Sequence, residues 1–129
     1  MPQISLIIPT LNEAENLPSL FAKIAVALNG RSWEAVIVDD SSTDGTPAIC
    51  ADPSKDFPIK FLSRRYADNG LSGAVLHGMA QASGEFLVVM DADLQHPPER
   101  IAALLEPLEK NEAHFVIGSR YVEGGGMAE

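Results

Sequence analysis

The sequence predicts an α/β domain, a three-layer sandwich with a mainly parallel sheet. Three observations carry this. Short β-branched apolar runs alternate strictly with helical patterns, the connections between them are brief, and the first run is apolar throughout rather than at every second residue. A strand of that last kind is covered on both faces, and right-handed crossovers between parallel strands place helices on both faces to do the covering.

Each element has its own signal. Gln3 to Pro9 is an Ile-rich run that reads as the first strand. Asn12 and Glu15 have the spacing of a capping box, and Leu17, Leu20, Phe21, Ile24, Ala25 and Leu28 follow at helical spacing until Asn29 and Gly30 end the helix. Trp33 to Asp39 is the second strand, followed by a turn from Asp40 to Gly45 and a short helix with Pro47 in its first turn. Phe57 to Ser63 is the third strand. The segment from Gly70 to Gly84 is a third helix with Ala74, Val75, Met79 and Ala82 as its apolar face, although Gly73 and Gly78 weaken it. Glu85 to Asp91 is the fourth strand. Pro97 and Pro98 open a fourth helix with Ile101, Leu104, Leu105 and Leu108 on its inner face, and His114 to Gly118 is a fifth strand before the glycines at 124–126.

With 129 residues, 46% of them hydrophobic, residues 1–129 read as one unit without internal repeats or an interior boundary. A chain of this length withdraws roughly two-thirds of its surface from water on folding and needs no disulfide or metal staple. The single cysteine, Cys50, excludes an internal bridge, suits an intracellular, cytoplasmic setting and reads as a small core residue. No apolar run approaches the ~20 residues of a membrane span. Eighteen acidic side chains against nine basic ones give a net charge of −9, which argues against nucleic-acid partners; Arg64 and Arg65 form the only local basic pair.

In a parallel sheet of this kind, ligands sit beyond the carboxyl ends of the strands. Those ends gather six carboxylates: Glu13 after the first strand, Asp39, Asp40 and Asp44 after the second, Asp91 and Asp93 after the fourth. Like charges so close raise one another's pKa or require a cation. Asp91, Asp93 and Gln95 are spaced i, i+2, i+4, so in an extended segment they converge, and an all-oxygen set suits Mg²⁺ or Mn²⁺ better than zinc. The alternative is that Asp91 caps a turn and Asp93 or Gln95 caps the next helix. The stretch VDDSSTDGT, 38–46, reads equally as a well-capped turn or as carboxylates offered to a base or ribose. Arg120 forms a surface ion pair or contacts a phosphate. His96 reads as a turn residue, and His77 and His114 as packing residues.

Five segments in this order, IIPTLNEAENL, VDDSSTDGT, GLSGAVLHGM, MDADLQHPPE and GSRYVEGGG, resemble the family 2 inverting glycosyltransferases of the GT-A fold, in particular the dolichyl- or polyprenyl-phosphate mannosyltransferase group. The resemblance covers essentially the whole chain. It implies a Rossmann-like GT-A sheet, incomplete at its C-terminus, forming the nucleotide-sugar-binding part of the transferase. It implies that Pro9, Leu11, Glu13 and Asp40 line the base with Asp39 beside it. Asp91 and Asp93 carry the catalytic role and, with Gln95, hold Mg²⁺ or Mn²⁺ against the donor diphosphate, while Arg120 contacts a phosphate. The implied donor is GDP-mannose or a UDP-hexose and the acceptor a polyprenyl phosphate, at the cytoplasmic face of a membrane reached through segments or partners outside this chain. Leu11 departs from the aromatic residue common there.

Two alternatives share parts of this pattern. A nucleotide-sugar-binding domain without turnover shares every motif. A receiver-like signalling domain shares the length and alternation, but would need an acidic pair after the first strand, an Asp after the third and a Lys after the fifth; the chain has Asn12 and Glu13, Ser63 and Arg64, and Ser119 and Arg120.

Overall fold

The computed structural model describes residues 2–52, 57–64, 70–92 and 98–110. Within them run β1 (Ile4–Thr10), α1 (Leu17–Ala27), β2 (Trp33–Asp39), α2 (Thr46–Ala51), β3 (Ile59–Ser63), α3 (Gly70–Gln81), β4 (Phe86–Val89), a 3₁₀ turn (Pro98–Arg100) and α4 (Ile101–Glu109). The predicted fifth strand and the terminal glycines lie outside the described residues, as do His96 and His114. The sheet order is β3-β2-β1-β4 and every pairing is parallel. β1 and β2 pair along their full lengths, from Ile4 opposite Trp33 to Thr10 opposite Asp39.

Side-chain alternation along β1 and β2 separates two cores, as a pleated strand requires. Ile4, Leu6, Ile8, Ala35 and Ile37 face the larger one, which Leu17, Leu20, Phe21, Ile24 and Leu28 from α1 and Ile101 and Leu105 from α4 complete. Each large apolar side chain withdrawn from water there contributes roughly 2 kcal/mol. On the other face Ile7, Val36 and Val38 meet Ala74 of α3. The sandwich therefore has helices on both sides, as the apolar strands predict.

Three local expectations are corrected. The first helix begins at Leu17 rather than after Asn12, and no side chain caps it. Asn12 instead takes a left-handed φ of 55°, a conformation Asn tolerates, and turns its side chain to a neighbouring loop. Met79 does not face the core and is 41% exposed; Gly78 takes the inner position. A Cβ there would stand 2.6 Å from Ile7 Cγ2 and 2.9 Å from Val38 Cγ2, so the glycine that weakens α3 in isolation is what lets it lie close on the sheet. At the fourth helix a 3₁₀ turn from Pro98 precedes α4, with Ile101 and Leu105 buried and Leu108 half-buried; the Leu104 side chain lies outside the described residues.

β1 is followed in space by β2 and β3 on one side and by β4 on the other, so strand order switches between β1 and β4. The carboxyl ends of β1, β2 and β4 therefore frame the crevice where such folds bind ligands.

Candidate functional site

The edge is built on Asp39. It ends β2 opposite Thr10, is 1% exposed, and accepts from Thr10 Oγ1 at 2.7 Å and Ser42 Oγ at 2.5 Å on Oδ1, and from Ser42 N at 2.9 Å on Oδ2. Three donors satisfy a buried carboxylate and fold the following loop back over it. Asp40 N–H donates to Thr10 O at 3.0 Å, carrying the β1–β2 ladder one step further. Its side chain, 20% exposed, pairs with Arg64, whose Nε lies 2.7 Å from Asp40 Oδ1.

The β1–α1 loop is stitched to this one. Asn12 N–H donates to Ser42 Oγ at 2.8 Å, and Asn12 Oδ1 accepts from Thr43 N at 2.8 Å and Asp44 N at 3.3 Å. Glu13 N–H donates to Thr46 Oγ1 at 3.2 Å, and Ala14 N–H to Asp44 Oδ2 at 3.1 Å. The Thr46 hydroxyl bond, together with the backbone amides of Thr46 and Ala14, outweighs the opposing effect of desolvation and holds the Asp44 carboxyl below its ordinary range. Half-buried Glu13 accepts from Asn16 Nδ2 at 2.9 Å, and its carbonyl receives Asn16 N and Leu17 N to start α1. Pro9 is half-buried at the end of β1, and Leu11 is 58% exposed at the mouth.

On the other side of the crevice Met90 and Ala92 are 2% and 1% exposed, and Asp91 between them is half-buried. Met90 and Ala92 both belong to the larger core. Asp93, Gln95 and Arg120 lie outside the described residues. Among the described residues no group of three His, Cys, Asp or Glu side chains gathers to hold a metal. The structure thus brings together Pro9, Leu11, Glu13, Asp39 and Asp40 around the ends of β1 and β2, with Asp91 at the end of β4.

Two residues have partners that the sequence does not reveal. Asn12 stands after the first strand with the spacing of a helix cap, yet its side chain serves the next loop. Arg64 directly follows β3 as Asp40 follows β2, and it pairs with Asp40 rather than serving as half of a basic pair. Cys50 packs against the larger core; burial, and secondarily the charge of Asp39, push its thiol up to about 12, in keeping with a packing role.

A parallel α/β sheet with helices on both faces and an acidic, loop-stitched carboxyl edge defines a Rossmann-like domain. The family described as Glycosyl transferase family 2 matches residues 5–129, and the chain belongs to that family. It is 51% identical over 123 residues to a dolichol-phosphate mannosyltransferase of Pyrococcus furiosus, covering 95% of this chain and 34% of that protein. The chain therefore spans about one third of that relative's length. A mannosyltransferase of Pyrobaculum calidifontis, solved with GDP-Man and Mn²⁺, superposes with a TM-score of 0.62 at 30% identity over 71% of this chain and 28% of its own. Glucosyl-3-phosphoglycerate synthase of Mycobacterium tuberculosis, solved with Mn²⁺, UDP and glucosyl-3-phosphoglycerate, also gives 0.62, at 28% identity over 83% of this chain and 39% of its own. The GT-A expectation is borne out. Among the described residues no helix is long and apolar enough to cross a membrane.

Proposed function

We propose that the chain supplies the donor-binding part of an inverting glycosyltransferase that moves a hexose, mannose from GDP-mannose or glucose from a UDP-sugar, to a polyprenyl phosphate at a membrane's cytoplasmic face. The observation that carries this reading is the acidic edge at the carboxyl ends of β1, β2 and β4, on a chain so close in sequence to a dolichol-phosphate mannosyltransferase. Pro9, Leu11 and Glu13 line the base, Asp40 accepts from it, and Asp39 holds the loop that carries Asp40. Asp91, Asp93 and Gln95 bind the divalent cation and Arg120 a donor phosphate.

The donor set fits such a cation. Two carboxylates and an amide oxygen are hard ligands that suit Mg²⁺ or Mn²⁺, and neither thiolate nor imidazole is required. When bound, the cation offsets the charge that develops on the departing nucleoside diphosphate. The chain's own task is to hold the donor so that a phosphate oxygen of the acceptor attacks the anomeric carbon from the face opposite the leaving group. An acceptor that is already anionic reduces the need for a general base, consistent with a sequence that offers no evident catalytic histidine.

Titration calorimetry with GDP-mannose and with UDP-glucose tests binding. One of them is expected to bind in Mn²⁺ and to lose most of its affinity with chelator or in Asp93→Ala; binding indifferent to both rejects the metal role. Because the chain spans about one third of its Pyrococcus relative, donor binding without transfer is a second reading. Transfer of labelled hexose to a polyprenyl phosphate decides between the two.

A further inference from the structure

We propose that Arg64 is a positioning residue for nucleotide selection: it ties one oxygen of Asp40 to the sheet and leaves the other as a directed acceptor for a ring N–H of the base. This rests on the reading of Asp40 as the base contact.

Three restraints place Arg64. Ser63 is the register partner of Asp39, so the next residue falls beside Asp40. Its backbone N–H donates to Asp39 O at 2.7 Å, and its carbonyl accepts from Ser41 Oγ at 2.7 Å, where Ser41 takes a φ of 60°. Its guanidinium then reaches Asp40 Oδ1 at 2.7 Å with the side chain only 9% exposed. A purely structural ion pair would serve to join β2 to β3, but the ladder from Ala35 to Asp39 and the Arg64 amide already do so. What the side-chain bond adds is direction. A carboxylate held through one oxygen loses its freedom to swing, and its second oxygen keeps one line of approach. The planar guanidinium supplies that restraint, which a flexible ammonium does not reproduce.

A fixed anionic acceptor favours bases whose Watson–Crick edge carries a ring N–H, as guanine and uracil do. Adenine and cytosine would set a ring-nitrogen lone pair near the carboxylate. The preference is thus for guanosine or uridine diphosphates, imposed through Asp40 by a residue that need not touch the ligand.

The test measures affinities for GDP, UDP, ADP, CDP and inorganic pyrophosphate, each with Mg²⁺, in the wild type, Arg64→Gln, Arg64→Lys, Asp40→Asn and Arg64→Gln/Asp40→Asn, with far-UV circular dichroism as the check on folding. Arg64→Gln is expected to weaken the preferred nucleotide about tenfold, leaving ADP and pyrophosphate unchanged. The double variant is expected to lose no more than Asp40→Asn alone. Unchanged base preference in Arg64→Gln, or equal losses for nucleotide and pyrophosphate, overturns the positioning role while leaving the donor-binding reading intact. A wild type that binds neither nucleotide nor pyrophosphate rejects that reading itself. Should Arg64→Gln fail to fold, Arg64→Lys decides: retained preference overturns the proposal, and a selective loss supports it.

Discussion

The Ser5 hydroxyl donates to Glu34 Oε2 at 2.6 Å, across a register pair at the amino ends of β1 and β2. Ser83 N–H donates to the same oxygen at 2.7 Å, Gly84 N–H donates to Ser5 Oγ at 2.7 Å, and Lys60 Nζ stands 3.5 Å from Oε1. The connection from α3 to β4 is thereby anchored to the two central strands, at the pole opposite the acidic edge.

Burial opposes the charge on Glu34, yet the bonds from Ser5 and Ser83 and the nearby Lys60 outweigh it and hold the carboxyl below its ordinary 4.5. A folded pKa below the unfolded one contributes stability that is present above about 4.5 and lost as pH falls through the depressed value. Glu34→Gln is therefore expected to cost about 1–2 kcal/mol at neutral pH. Thermal unfolding between neutral and acidic pH should show the wild type losing its advantage over the variant as Glu34 protonates. A gap that stays constant from neutral to strongly acidic pH would remove the electrostatic role.

Gly78→Ala sets a helix-propensity gain of about 1 kcal/mol against a Cβ that would clash with Ile7 and Val38. Overpacking costs about 1–3 kcal/mol, so the clash is expected to win and lower stability in urea denaturation. Met79→Ala, at a position 41% exposed, is the control and should change stability far less. If Gly78→Ala raised the midpoint, α3 would have to lie further from the sheet.

Leu11 is 58% exposed at the mouth of the edge, and in the proposed donor-binding role it gives the base apolar contact without stacking. Leu11→Tyr is expected to tighten nucleotide binding about fivefold through stacking. Because the side chain is largely in solvent, the thermal midpoint should move little. Calorimetry reads the gain, and pyrophosphate affinity should be unchanged; weaker nucleotide binding would move the base elsewhere.

Much of the architecture was legible in the residues. Strands buried on both faces announce themselves as apolar runs, so the pattern marks Trp33–Asp39 at both its ends, and strand-end position alone gathers Asp39, Asp40 and Asp91 on one edge. These are properties of local pattern and chain direction. What remained hidden involves partners distant in the chain. Asn12 has the spacing of a cap, yet its oxygen serves the amides of Thr43 and Asp44. Asp39 and Asp40 are adjacent and chemically alike, yet one is sealed by Thr10 and Ser42 while the other, paired with Arg64, remains partly open. Gly78 reads as a helix weakener until Ile7 and Val38 stand against it. Alternation, the parallel sheet and the edge where the acids collect follow from the order of residues alone. Which of those acids is buried within the protein and which is offered to solvent is set by the fold, because hydrogen-bond saturation and close packing depend on residues that only folding brings together.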